Sequence, residues 1–232
     1  MAAEACKGLH YAHNAKDMYG NPLNIIHRDV SPSNVIVSWD GHVKLMDFGV
    51  AKARTQDQKG SKHVLRGKLG YMSPEQVRGE EVDHRSDIFS LGIVVFESLT
   101  LKRLFLGRTD LETLINIRDA DVEKKFRKYA FLDEGMRRIL RKALARDRDE
   151  RYVTALDMHN DLMDYLFAQG VRTDSAKVAG FLRLCFREEL EGRPVAPSAS
   201  QDAVRVALEG GVAADERQKT FVGRPADRKS VV

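Results

Sequence analysis

Residues 27–34 read His27-Arg28-Asp29-Val30-Ser31-Pro32-Ser33-Asn34, and this stretch decides how the rest of the chain is read. Asp29 offers a carboxylate that can orient an attacking hydroxyl and accept its proton. Asn34, five residues on, offers a neutral oxygen of the hard kind that magnesium prefers. His27 is expected to pack under the loop and hold it. Working outward, Val35-Ile36-Val37 and Val43-Lys44-Leu45 are short β-rich runs, and Asp40-Gly41 between them signals a hairpin. Asp47-Phe48-Gly49 follows at once. Alone this tripeptide reads as a turn aspartate at a strand end. Behind an Asp-to-Asn loop and two strands, it supplies a second oxygen donor for a cation, and Gly49 permits the chain to reverse.

Three further segments fall in order. Gly70-Tyr71-Met72-Ser73-Pro74-Glu75 closes a polar, basic stretch, Ala51 to Lys68, that is expected to be a long mobile loop. Ser86-Asp87-Ile88-Phe89-Ser90-Leu91-Gly92 opens the most apolar helix. An aspartate in the first turn of a buried helix is costly unless it accepts hydrogen bonds. Arg151 lies in Arg146-Asp147-Arg148-Asp149-Glu150-Arg151-Tyr152. Each segment has a plain reading as a cap or a surface charge; five in this order and spacing make coincidence a poor account.

The chain resembles the eukaryotic-like protein kinases over residues 1–169, in wording most like the bacterial serine/threonine kinases. The resemblance implies a mainly α fold with a small β-hairpin, the catalytic C-terminal lobe of a kinase. It implies transfer of the ATP γ-phosphate to a Ser or Thr hydroxyl of a protein substrate. Asp29 becomes the catalytic carboxylate, Asn34 and Asp47 the Mg2+ ligands, and Ile36, Asn34 and Asp47 the nucleotide-binding residues. Phe48 and Gly49 complete the second motif, Glu75 pairs with Arg151, and Asp87 accepts from the backbone of the catalytic loop. Arg28 would receive an activation-loop phosphate, with Thr55 and Ser61 the hydroxyls available and Arg54, Lys59, Lys62 and Arg66 adding positive charge. Pro32 favours serine/threonine over tyrosine acceptors.

The sequence also departs from the family. No Gly-rich loop, strand lysine or paired helix glutamate precedes Asp29, because Met1 falls at the helix before the catalytic loop. The expectation is a truncated lobe without the part that grips ATP, or one whose missing part comes from another chain. An enzyme and a non-catalytic binding fragment are both compatible with that. Serine/threonine kinases usually carry a lysine two residues after the catalytic aspartate, where this chain has Ser31. They carry a threonine in the activation segment where this chain has Lys68. One reading sends the Lys68 ammonium to Asp29 to stabilise the transferring phosphoryl oxygens; the other leaves Lys68 solvated in the loop.

The remaining features set limits. At 232 residues with 43% hydrophobic and 31% charged residues, the chain affords one ordinary domain and an appendage. A net charge of +4 with signs interleaved suits a solvated surface and no nucleic-acid partner. Cys6 and Cys185 are expected to be small core residues in a reducing compartment. No secretory leader is seen, and Ile88 to Leu99 is too short to span a bilayer, so a cytoplasmic protein is expected. His10 and His13 are expected to be ordinary surface or core histidines. Helical periodicity runs from Ser86 almost to 190. Met136, Ile139, Leu140, Ala143 and Leu144 form one apolar stripe, and Val178, Phe181, Leu182, Cys185 and Phe186 another. Residues 170–191 read as a helical extension that packs on the lobe, and 192–232 as a flexible tail.

Overall fold

The computed structural model describes residues 1–48, 68–172, 174–187 and 190. The expected mobile stretch up to Gly67, with Gly49, Thr55 and Ser61, and the expected tail at 192–232 lie outside them.

Among the described residues the fold is mainly α with one two-stranded sheet, built around helix α3 (Arg85–Thr100). Every residue of α3 from Ser86 to Phe96 is buried. A helix that is apolar all round has to be enclosed by others. Helix α1 (Ala2–His13) and α6 (Glu134–Ala143) pack on it, and α7 (Ala155–Ala168) packs on α1 and α6. Gly92 lets α6 approach closely: a Cβ there would lie 3.1 Å from Ala143 and Leu144 side-chain carbons. The stripe Met136, Ile139, Leu140, Ala143 and Leu144 is buried as expected. Leu99, at the end of the apolar run, is exposed instead.

The helical periodicity after Ser86 is divided into shorter helices, α4 (Asp110–Asp119), α5 (Glu123–Phe126), α6 and α7. The starts of α4, α6 and α7 carry capping side chains: Thr109, Asp133 and Thr154 accept from backbone N–H groups three residues on. Two ends are hidden from a sequence reader. The chain turns left-handed at Leu101 (φ 53°) and Ala120 (φ 47°), where a glycine would have signalled the stop.

Strands β1 (Val35–Val37) and β2 (Val43–Leu45) pair antiparallel, Val35 opposite Leu45, across a turn with Gly41 at φ 82°. Helix α8 (Ser175–Cys185) lies against this hairpin. Val178, Leu182 and Phe186 pack on Val37, Trp39 and Val43, and Trp39 meets Phe186 edge-on at 5.8 Å. The docked face is narrower than the apolar stripe. Phe181 is 58% exposed and Cys185 is exposed, so neither is a core residue as the periodicity suggested. A hairpin of two short strands offers width for only one row of side chains. Cys6 is buried as expected, and burial pushes its thiol up to about 12.

Candidate active site

The segment 27–34 is shaped by Asp87, at the first turn of α3. Its carboxylate is 1% exposed and accepts the His27 N–H at 2.8 Å and the Arg28 N–H at 2.8 Å. It also accepts from His13 Nε2 at 2.8 Å. Three donors replace the water that burial removed. The two backbone bonds hold Arg28 at φ 62°, a region that non-glycine residues seldom occupy. This bend carries the chain from buried His27 to half-buried Asp29. His27 has its tautomer fixed by its neighbours: Nδ1 accepts the Asp29 N–H at 3.3 Å, so Nε2 donates to the Met46 carbonyl at 2.9 Å. Its ring lies 4.4 Å from that of Phe48. The imidazole is thus a strut between the two motifs.

Asn34 is buried and its amide is oriented. Nδ2 donates to the Asp29 carbonyl at 2.7 Å, which leaves Oδ1, among the described residues, with only a 3.5 Å contact from the Ser33 hydroxyl. The Asn34 carbonyl accepts the Met46 N–H at 2.9 Å, which brings Asp47 alongside. Asp47 adopts φ 57° and is exposed, and its carboxylate has no hydrogen-bond partner among the described residues. One amide oxygen and one carboxylate, both hard donors with lone pairs to spare, fit a magnesium ion. Ile36, on β1 opposite Lys44, is half-buried.

Lys68 comes to this site from 39 residues away. Its Nζ donates to Asp29 Oδ2 at 2.9 Å, with the lysine side chain 39% exposed and the aspartate 12%. The ammonium thus reaches the Asp29 carboxylate. Ser31 is buried and its hydroxyl meets that of Ser33 at 2.9 Å.

Arg28 points its side chain outward, with no hydrogen bond to its guanidinium among the described residues. Its carbonyl accepts from Gln76 Nε2 at 3.2 Å, which ties helix α2 (Pro74–Arg78) to the loop. That helix starts on a capping box between Ser73 and Gln76. Glu75 beside it forms a bidentate pair with Arg151, 2.7 and 2.8 Å, and also accepts from the Ser86 hydroxyl. Arg151 uses its remaining donors on the carbonyls of Ala145, Arg85 and Arg146, and its guanidinium lies over the Phe89 ring. Burial pushes the Glu75 carboxyl up, but the bonds from Arg151 and Ser86 outweigh it and hold it at about 2.

Sequence reasoning missed His13, Ser33 and Gln76. His13 is a strut on Asp87, and its spacing from His10 carried no hint of that. The Ser73-to-Gln76 spacing of a capping box was the one local signal available.

A model of the protein kinase domain matches residues 1–166. A tyrosine-protein kinase, MasK, of Myxococcus xanthus is 38% identical over 186 residues, which is 80% of this chain and 29% of that protein. The serine/threonine-protein kinase PknB of Mycolicibacterium smegmatis is 36% identical over 178 residues, 76% of this chain and 27% of that protein. A probable serine/threonine-protein kinase PknB of Bifidobacterium longum is 38% identical over 160 residues, 66% and 22% respectively. The chain thus spans under a third of the length of each of these relatives.

Proposed function

This chain belongs to the protein kinase domain family, and from that premise we propose that it transfers the γ-phosphoryl group of ATP to a serine or threonine hydroxyl of a protein substrate. The observation that carries the reading is the arrangement at Asp29: its carbonyl is held by Asn34, the preceding Arg28 N–H is held by Asp87, and an ammonium lies on its Oδ2. Asp29 orients the acceptor hydroxyl and takes its proton as the oxygen bonds to the γ-phosphorus. The bond from phosphorus to the bridging oxygen breaks, and ADP leaves. The Lys68 ammonium, already at that carboxylate, offsets charge on the transferring oxygens. Asn34 and Asp47 would hold magnesium, which when bound offsets the phosphate charge. Ile36 would lie against the base.

Arg28, whose exposed guanidinium has no hydrogen bond among the described residues, would receive a phosphate on Thr55 or Ser61. Mass spectrometry of active protein settles this, an unmodified loop counting against it. Both cysteines are free, which suits the cytoplasm, where ATP is supplied.

The test is magnesium-dependent transfer from labelled ATP to serine, threonine and tyrosine peptides, with Asp47→Ala as the control. Transfer to serine or threonine that the control abolishes is expected. Tyrosine as acceptor would overturn the assignment drawn from Pro32. No ATP binding and no transfer would leave the chain as a binding module. For Lys68, the double change Ser31→Lys with Lys68→Thr should retain far more activity than Lys68→Thr alone. Equal activity for the two would reduce Lys68 to a surface ion pair.

A further inference from the structure

Lys68 has a long, half-exposed side chain, and something must aim it. The nearest fixed point is Tyr71. Its N–H donates to the Lys68 carbonyl at 3.2 Å, so the two residues close one turn. Tyr71 is itself held from three directions. Its carbonyl accepts from the Ser90 hydroxyl at 2.7 Å. Its phenol donates to Glu97 Oε2 at 2.7 Å. Arg103 covers it, with the guanidinium 4.6 Å from the ring centroid and Nη1 donating to the phenol oxygen at 3.0 Å.

Arg103 does more than cover the ring. Its Nε stands 3.4 Å from Glu97 Oε1, which also accepts the Leu104 N–H at 2.9 Å. Burial raises the Glu97 carboxyl above its usual range even so. The Arg103 Nη2 lies close to Gly70, where a Cβ would fall 2.9 Å from it. One planar cation therefore touches Gly70, Tyr71 and Glu97 together. An ammonium could match the charge but not the fork and the stacking.

Resting on the reading that Lys68 serves at Asp29, we propose that Arg103 is a positioning residue for Lys68. By gripping Tyr71 from just beyond the end of α3, it sets where the turn 68–71 stands and so how far the Lys68 ammonium reaches. Glu97 keeps the guanidinium in place, and glycine at position 70 leaves it room.

The test needs no nucleotide. The whole chain is treated with a limiting amine-acylating reagent, and the modification of Lys68 is measured by mass spectrometry relative to exposed Lys7. An ammonium held on a carboxylate is shielded from the reagent. Asp29→Asn should raise Lys68 labelling severalfold by releasing the pair. Gly70→Ala should raise it too, because a single methyl displaces the mobile end of Arg103 and leaves the buried Glu97 cluster in place. Arg103→Lys should behave like Gly70→Ala. Adding Gly70→Ala to Asp29→Asn should give no further increase. Thermal melting checks that each variant is folded; if Arg103→Lys is not, Gly70→Ala alone decides. Labelling raised by Asp29→Asn but unchanged by Gly70→Ala would overturn the role of Arg103 and leave the reading of Lys68 intact. Labelling unchanged by Asp29→Asn would remove the pair itself, and both ideas with it.

Discussion

Two groups of charged residues in this lobe share the same chemistry and are used in opposite ways. Glu75, Arg151 and Asp87 are buried, and their hydrogen-bonding capacity is consumed inside the protein: Arg151 donates through all three nitrogens, and Asp87 accepts three bonds. Asp29, Asp47, Arg28 and Lys68 stand a few residues away and remain half-buried or exposed. Two of them are held at positive φ, at Arg28 and Asp47. Burial with full pairing makes a charge a structural part. Partial exposure leaves it able to meet a substrate or an ion. Asp87, of the first group, maintains the strained backbone of the second at Arg28.

Removing one member from each group should separate them. Asp29→Asn should lower phosphoryl transfer by about 10²–10⁴-fold with little change in melting temperature, read by transfer rate and calorimetry on the same samples. A large loss of stability would place Asp29 with the structural group. Arg151→Met should do the reverse first, destabilising by about 3–5 kcal/mol because it strands the buried Glu75 carboxylate. Urea denaturation measures this, and a loss below about 1 kcal/mol, the range of surface pairs, would mean water reaches Glu75.

The same pair predicts a pH response. The Glu75 carboxyl is held at about 2 in the folded chain against an ordinary 4.5. A depressed carboxyl contributes stability that is fully present above its unfolded value and is lost as pH falls through the folded one. Stability should therefore decline between about 4.5 and 2, and Glu75→Gln should flatten that part of the profile while lowering stability at neutral pH. An unchanged profile would remove the pair as its source. The smallest effect is expected at the edge of the lobe. Gly41→Ala places a Cβ 1.9 Å from the Ser175 carbonyl oxygen at a position with φ 82°, so α8 should lift from the hairpin. Trp39, the one tryptophan of the chain, reports on this through a red-shifted emission. The global cost should be about 1 kcal/mol, and unchanged emission would mean α8 is held elsewhere.

The motif residues were legible because each motif is local. Asp29 and Asn34 share one turn, and a hairpin leads straight to Asp47, so a short chain can move them only a little apart. The Asp87 carboxylate was legible for a different reason: an aspartate opening an apolar helix must find donors, and the backbone of residues 27 and 28 supplied them. His13 and Arg103 were not legible, since nothing in their neighbours distinguishes a strut from a surface charge.

The sequence by itself determined which side chains are available to the site and that helices would enclose the apolar run from Ile88 to Phe96. It did so because turn chemistry, strand length and helical periodicity act over a few residues. Only the tertiary structure decided that the Lys68 ammonium lies on the Asp29 carboxylate, that His13 joins Asp87 across 74 positions, and that Phe181 and Cys185 stay outside the core. Periodicity specifies that a face is apolar, but what covers that face depends on where the other elements come to rest.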